Sequence, residues 1–88
     1  MELQEIRNKI DSIDDQLVSL FINRMHLSAE VAAYKAEWDL PIYVPEREQQ
    51  ILDALSVKAG QDMADDVRDL YATIFRLSRE YQKRHQQK

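Results

Sequence analysis

Cysteine is absent from this 88-residue chain, which also contains a single glycine and only two prolines. The lack of cysteine excludes a disulfide scaffold and any metal site built on thiolates. Because turns rely heavily on glycine and proline, their scarcity favours an all-helical (all-α) fold. No apolar run approaches the roughly 20 residues that a bilayer crossing needs, so we expect no contact with a membrane interior.

The charge of the chain is modest and negative, with a formal net value of −4 at pH 7. This balance disfavours bulk electrostatic binding to nucleic acid or to anionic lipid, although it is compatible with a local basic pocket. The length suits one domain, which we expect to comprise residues 1–88. The acidic start at Met1–Glu5 has no secretory apolar region, and together with the absence of cysteine it favours the cytoplasm.

Proline and glycine divide the chain into three segments with helical periodicity. The first runs from Leu3 to about Trp38, the second from near Pro45 to near Gly60, and the third from about Met63 onward. In the first segment, apolar residues recur at alternating steps of three and four, which is the spacing of one helix face. This apolar stripe comprises Leu3, Ile6, Ile10, Ile13, Leu17, Leu20, Leu27, Val31 and Tyr34.

The first predicted helix is too long for its own chain to cover. About 33 residues at a rise of 1.5 Å give a rod of roughly 50 Å. A compact globule of this chain length has a diameter of only about 30 Å. Since two shorter helices cannot cover the whole stripe, we expect a homodimer in which the first helices of two copies pack together.

Arg24 interrupts the apolar stripe one step after Leu20. A guanidinium among apolar side chains is costly unless it is paired. One interpretation is a salt bridge to a carboxylate such as Glu30 or Glu48. The other is an anionic ligand, whose carboxylate the planar guanidinium would hold through two parallel hydrogen bonds. The pattern alone leaves both interpretations open.

Two further cations of the first helix could reach the same ligand. Lys35 follows Arg24 by 11 residues, which places both on nearly the same face, about 16 Å apart along the axis. Arg7 lies about 25 Å from Arg24 along the helix, but an antiparallel pair of helices brings it close to Arg24 of the other chain. The alternative for Lys35 is a snorkelling surface lysine, and the alternative for Arg7 is a surface arginine paired with Asp11 or Asp14.

The later segments add polar candidates. Arg47 and Glu48 open the second helix, either as an exposed capping pair or at a pocket mouth, where Glu48 would accept a hydrogen bond from a ligand hydroxyl. Ser78 and Gln82 share one face of the third helix, either as ligand partners or as ordinary boundary residues. Acidic residues interrupt the cations of the third helix, so we expect those cations to form a solvated face. They are Arg68, Arg76, Arg79, Lys83 and Arg84.

The motifs of several other chemistries are missing from the sequence. His26 and His85 lie far apart and lack metal-ligand spacing. The serines have no nucleophile-elbow motif, and no glycine-rich loop is present to cradle a phosphate.

One ordered set of residues extends over nearly the whole chain, from about Leu3 to Gln82. The set contains Ile6-Arg7-Asn8-Lys9-Ile10-Asp11-Ser12-Ile13-Asp14, then Leu17, Leu20, Arg24, Ala29, Val31 and Lys35, then Pro45-Glu46-Arg47-Glu48 with Ile51-Leu52. No single piece is specific, but the order, the spacings and the three-helix plan together resemble the all-helical class of chorismate mutases.

This resemblance implies an intertwined helical homodimer with two equivalent sites, each of which uses both chains. The implied reaction is the pericyclic rearrangement of chorismate to prephenate, a Claisen-type shift through a chair-like transition state, in phenylalanine and tyrosine synthesis. It needs no cofactor, no metal and no covalent intermediate.

The resemblance also implies roles for the cations and the amide. Arg24 and Arg7 of the partner subunit would bind the two substrate carboxylates. Lys35 and Gln82 would donate hydrogen bonds to the ether oxygen as the carbon–oxygen bond breaks. Because partial negative charge grows on that oxygen, fixed donors there bind the transition state better than the ground state.

The remaining implied contacts concern the substrate's ring hydroxyl and a carboxylate. Glu48 would hold the hydroxyl, helped by the backbone around Arg47, whose side chain would line the pocket. Ser78 would assist at a carboxylate. Many family members carry an acidic residue where this chain has Val44, so a possible polar contact near the ring hydroxyl or the loop is lost.

Two alternatives stay open at the level of sequence. One is an isochorismate–pyruvate lyase of the same fold, which would eliminate pyruvate from a close isomer of the substrate. The other is a non-catalytic helical module for dimerisation or effector binding. The sequence also does not decide whether the chain stands alone or is a domain of a fusion protein.

Overall fold

Three α-helices make up the fold of the computed structural model, which is free of β-strands throughout residues 2–86. Helix α1 spans Leu3–Glu37, α2 spans Pro45–Ala59 and α3 spans Ala64–Gln86. The α1–α2 loop, residues 38–44, joins the first two helices. The predicted all-helical, three-helix plan is confirmed, and the helix boundaries lie within about one residue of the predicted ones.

The structure describes residues 2–86, so Met1, Gln87 and Lys88 of the predicted domain lie outside it. None of the described helices has both the length and the apolar character that crossing a membrane would require.

The helix ends follow from backbone chemistry. At the end of α1, the Leu40 N–H donates to the carbonyl of Lys35 at 2.7 Å, and Asp39 adopts a positive φ of 56°. This is the Schellman arrangement, which satisfies carbonyls at a helix end. Pro45 opens α2, where its fixed φ suits the first turn. Gly60 follows α2 with φ 81°, a conformation that residues with a Cβ atom rarely adopt.

Helix α3 packs against both α1 and α2 and so holds the chain together. The buried apolar side chains, Met25 and Ala32 of α1 and Phe75 of α3, lie where these two helices meet. The core is small, because no large side chain in the described range is completely buried. Buried serines share this contact: the Ser28 and Ser78 hydroxyls are hydrogen-bonded at 2.8 Å, which links α1 to α3.

The first half of α1 is uncovered by the rest of its own chain. Residues 3–20 are all exposed, and the apolar stripe residues among them range from 40% exposure at Ile6 to 64% at Leu20. The molecule is 55 Å long but only 14 Å thick. The expectation that the two shorter helices cannot cover the whole stripe is therefore confirmed, because one copy of the chain leaves much of it in water.

The hydrogen bond between Ser28 and Ser78 predicts a difference between two buried helical serines. Ser28→Ala should lower the free energy of unfolding by about 1 kcal/mol, because it removes a buried bond between helices. Ser56→Ala is the matched control, since the Ser56 hydroxyl donates only to the Leu52 carbonyl of its own helix, at 2.6 Å. That change should be neutral or slightly stabilising, because alanine is the better helix former.

Urea unfolding of the two variants at one protein concentration measures the difference. Equal effects of the two substitutions would contradict the view that the Ser28 hydroxyl contributes to packing between the helices.

Candidate active site

A cavity of about 320 Å³ opens between the three helices and the α1–α2 loop. Each element contributes side chains to its wall, so the cavity exists only in the folded chain. The lining residues are Arg24, Leu27, Ser28, Val31, Lys35, Ile42, Val44, Arg47, Glu48, Ile51, Phe75, Ser78, Arg79 and Gln82.

Six of the seven residues proposed from the sequence line this one cavity, and Arg7 does not. Helix periodicity brings the six together, because each helix turns a stripe of residues three or four apart toward the cavity. They are Arg24 and Lys35 of α1, Arg47 and Glu48 of α2, and Ser78 and Gln82 of α3.

Arg24 is half-buried and has no carboxylate partner within residues 2–86. Its guanidinium lies 5.8 Å from the ring centroid of Tyr71 and 5.7 Å from that of Phe75. Cation–π contacts at such distances offset part of the cost of burying the charge but do not neutralise it. The alternative of a salt bridge to Glu30 or Glu48 is wrong, and Arg24 remains available to an anion.

The Lys35 ammonium faces the α1–α2 loop. It donates a hydrogen bond of 3.1 Å to the carbonyl of Ile42. An ammonium has three N–H bonds, so two are left for a ligand in the cavity. The side chain is half-buried, so its stem is partly covered while its ammonium reaches the loop.

The carboxylate of Glu48 is paired with Arg79 of α3 across the mouth of the cavity. Both side chains are mostly buried, with 23% exposure for Glu48 and 29% for Arg79. The expectation that Arg79 belongs to a solvated face is wrong, because its side chain lines the cavity and its guanidinium is held by the Glu48 carboxylate. Arg76 does fit that expectation: it is exposed and pairs with Glu80 on the same helix. Arg47 is exposed at the rim of the cavity.

Gln82 is buried in the cavity wall with only 8% exposure. Its amide nitrogen donates to the Ser78 hydroxyl at 3.1 Å, and that hydroxyl is in turn bonded to Ser28. The amide oxygen is buried without a hydrogen-bond partner in the described part of the chain. A buried, unpartnered acceptor is costly, and only a hydrogen-bond donor could satisfy it.

Arg7 lies on the exposed first half of α1, outside the cavity. It forms no salt bridge with Asp11 or Asp14, so the surface-pair alternative is also wrong. A helix rise of 1.5 Å per residue puts it about 25 Å from Arg24, too far for one small ligand to touch both within one chain.

The cavity is strongly cationic. Arg24, Lys35, Arg47 and Arg79 line it with only one carboxylate, that of Glu48, which leaves a net of three positive charges. Because apolar walls lower the local dielectric constant, they strengthen the attraction between these cations and an anion. The cavity therefore suits a small molecule with two negative charges and an apolar body. Residues 2–85 contain no group of acidic and histidine side chains that could hold a metal ion.

A second cavity of about 370 Å³ lies against other parts of α1 and α3 and contains none of the proposed site residues. One glutamate and one arginine balance each other there, so it offers no excess charge to an anion. Its lining residues are Phe21, Ile22, Met25, His26, Leu77, Glu80, Tyr81 and Arg84.

Two polar residues that line the cavity were not identified as site residues from the sequence. Ser28 and Arg79 both line the cavity, and their spacing was the available signal. Ser28 lies four residues after Arg24, and Arg79 lies three before Gln82, so each shares a helix face with a proposed residue.

Comparison with known proteins agrees with this geometry. The family model for chorismate mutase type II matches residues 6–83. A chorismate mutase of Methanocaldococcus jannaschii is 34% identical over 82 residues, which cover 93% of this chain and 81% of that protein. The T-protein of Enterobacter agglomerans is 41% identical over 71 residues, which cover 75% of this chain but only 19% of that protein.

A bifunctional chorismate mutase/prephenate dehydratase of Aquifex aeolicus is 39% identical over 54 residues, covering 61% of this chain and 15% of that protein. The chain thus spans less than a fifth of the T-protein and of the bifunctional enzyme. No solved structure matches with statistical significance. The family match over most of the chain, on a fold and a cationic cavity of the expected kind, shows that this chain belongs to the chorismate mutase type II family.

Proposed function

We propose that the chain forms a homodimer that rearranges chorismate to prephenate, at two equivalent sites built from both subunits. The observation that carries this proposal is Arg24, a half-buried guanidinium that faces an apolar-walled cavity and has no carboxylate partner among the described residues. A dianionic substrate supplies the missing negative charge, and the family match supports the choice of substrate.

The uncovered half of α1 supports the dimer. Six stripe residues there are at least 40% exposed: Leu3, Ile6, Ile10, Ile13, Leu17 and Leu20. Burial of one such side chain contributes about 1.5–3 kcal/mol, so leaving all six in water would be costly. A second copy offers the same stripe, and two antiparallel α1 helices would cover each other.

The same antiparallel arrangement completes the site. It brings Arg7 of the partner subunit toward the cavity that contains Arg24. The two guanidiniums would then each bind one carboxylate of the substrate through paired hydrogen bonds. Holding both ends of a flexible dianion selects the folded conformer in which the reacting carbons meet, which removes much of the entropic part of the barrier.

The chemical step breaks the ether carbon–oxygen bond of chorismate and forms a carbon–carbon bond in one cyclic movement of electrons. No proton, electron or group passes to the protein. Negative charge builds on the ether oxygen, and donors fixed at that point lower the barrier. Lys35 retains two free N–H bonds, and the Gln82 nitrogen retains one besides that given to Ser78, so both can donate there.

Glu48 is the group proposed for the ring hydroxyl. One of its carboxylate oxygens accepts a hydrogen bond from Arg79, which leaves the other oxygen able to accept a hydrogen bond from a ligand. Val44 lines the same part of the cavity and adds no polar contact. Recognition of the hydroxyl therefore rests on Glu48 and on the backbone around Arg47.

The setting of this activity is part of the same proposal. We place it in phenylalanine and tyrosine synthesis in the cytoplasm, with residues 1–88 as one catalytic domain. The T-protein and the bifunctional relative are much longer than this chain, so a natural context within a larger protein is compatible with the domain.

Turnover of two substrates tests the proposal directly. The purified chain should convert chorismate to prephenate and leave isochorismate unchanged. Salicylate and pyruvate released from isochorismate would instead indicate the lyase, the alternative that Val44 in place of an acidic residue leaves open. Turnover of neither substrate by a folded dimer would favour the non-catalytic module.

Mixing of inactive variants tests the shared site. Arg7→Ala and Arg24→Ala should each lose most activity while remaining dimeric, because neither change touches an ion pair of the fold. A mixed dimer has one site with both arginines intact. At equal amounts and after full exchange, half of the dimers are mixed, so about a quarter of the wild-type activity should return.

The control for mixing pairs Arg24→Ala with Lys35→Ala, two changes on the same side of each site. Every mixed site then lacks one group, so no activity should return. Failure of the Arg7 and Arg24 pair to recover, with chain exchange confirmed by mass spectrometry, would refute the shared geometry.

Substitution of Gln82 tests the donor at the ether oxygen. The amide donates at any pH, whereas a glutamate must be protonated first, and its ordinary pKa is about 4.3. In Gln82→Glu, kcat/KM should therefore fall as the pH rises from about 4 to 8, relative to wild type. The exposed Gln50→Glu serves as control and should follow the wild-type profile. A Gln82→Glu profile parallel to wild type would contradict the assigned role.

A further inference from the structure

We propose that Arg79 is a positioning residue of this site, which aims Glu48 at the substrate's hydroxyl and fixes the α1–α2 loop over the cavity. The inference rests on the proposed function, because it names a further residue of the same site. It starts from a contact that the sequence pattern did not reveal, the ion pair between α3 and the first turn of α2.

The ion pair lets Arg79 set the orientation and balance the charge of the Glu48 carboxylate. These two residues are 31 positions apart in the chain, so their contact ties α3 to the start of α2 rather than adding to one helix. With one carboxylate oxygen held by the guanidinium, the other has a fixed direction from which to accept a hydrogen bond. The pair also cancels the charge of Glu48, which would otherwise repel a dianion entering the cavity.

Arg79 also holds the loop. Its guanidinium lies 4.9 Å from the ring centroid of Tyr43, within the range of a cation–π contact. The neighbouring residue, Ile42, accepts a hydrogen bond from Lys35. Lys35 of α1 and Arg79 of α3 thus contact the successive loop residues Ile42 and Tyr43. Ile42 and Val44, on either side of Tyr43, line the cavity.

A surface role does not explain this arrangement. Arg76 lies one turn earlier on α3 and forms an ion pair with Glu80 at 3.1 Å, with both side chains more than half exposed. Arg79 instead reaches two other elements of the chain and is 29% exposed. Arg76→Gln therefore provides a matched control for Arg79→Gln, since it removes the same charge from the same helix outside the site.

Steady-state kinetics on the full chain give the first test. Arg79→Gln should raise KM for chorismate about tenfold, the typical effect of losing one charge-assisted hydrogen bond, with kcat changed less than about threefold. Arg79→Lys should fall between Arg79→Gln and wild type, because it keeps the charge but loses the planar stacking group. Arg76→Gln should match wild type.

A double variant separates positioning from direct contact with substrate. If Arg79 acts through Glu48, adding Glu48→Gln to Arg79→Gln should leave KM unchanged or lower it, because no uncompensated carboxylate remains to repel the substrate. Multiplying effects of the two changes would mean that each group contacts the substrate independently, and would overturn the proposal.

Hydrogen exchange of the loop gives a test that does not depend on turnover. Backbone amides of residues 39–43 should exchange at least about threefold faster in Arg79→Gln than in wild type or Arg76→Gln. Unchanged loop exchange would refute the proposal even if the chain turned over no chorismate. Loss of the proposed function itself would show as an inactive wild type, which is a separate result.

Discussion

The length of α1 governs the rest of the molecule. A 35-residue helix cannot be covered by the two shorter helices that follow it, and its first half stands free of the chain's other elements. α3 packs against its second half and against α2, and the cavity forms where these three helices meet. The uncovered half carries Arg7, a cation that the cavity lacks. One feature of the sequence thus underlies both the proposed pairing of two chains and the proposed role of Arg7 in a shared site.

Charge inside the cavity is the second constraint. Four cations surround a single carboxylate, and that carboxylate is already paired with Arg79. Aromatic rings beside Arg24 and a loop carbonyl beside Lys35 hold the charges in place without neutralising them. Such an arrangement lowers the stability of the empty protein and becomes favourable when a dianion enters. The proposed function would use this uncompensated charge to bind a dianionic substrate.

Much of this architecture follows from periodicity. The three helices and their boundaries could be predicted because proline, glycine and the three–four spacing mark them clearly. Six of the seven proposed site residues meet in the cavity because residues on one helix face stay together when the helices pack. Arg24 was the most informative position, since a lone guanidinium in an apolar stripe needs an explanation from the pattern alone.

Contacts between helices could not be predicted in the same way. Whether Glu48 pairs with Arg24 or with Arg79 depends on the crossing of α2 and α3, which no local spacing encodes. The same holds for the hydrogen bond between Ser28 and Ser78, two residues 50 positions apart. Arg79 was assigned to a solvated face because Asp69 and Glu80 interrupt the cations of α3, and that charge pattern does not show that its guanidinium reaches Glu48 and the ring of Tyr43.

A crystal structure with a dicarboxylate mimic of the cyclic transition state would show whether two chains build each site. We expect a dimer with antiparallel α1 helices, in which one carboxylate of the mimic lies on Arg24 and the other on Arg7 of the partner subunit. A mimic held wholly within one chain, with Arg7 in solvent, would contradict it.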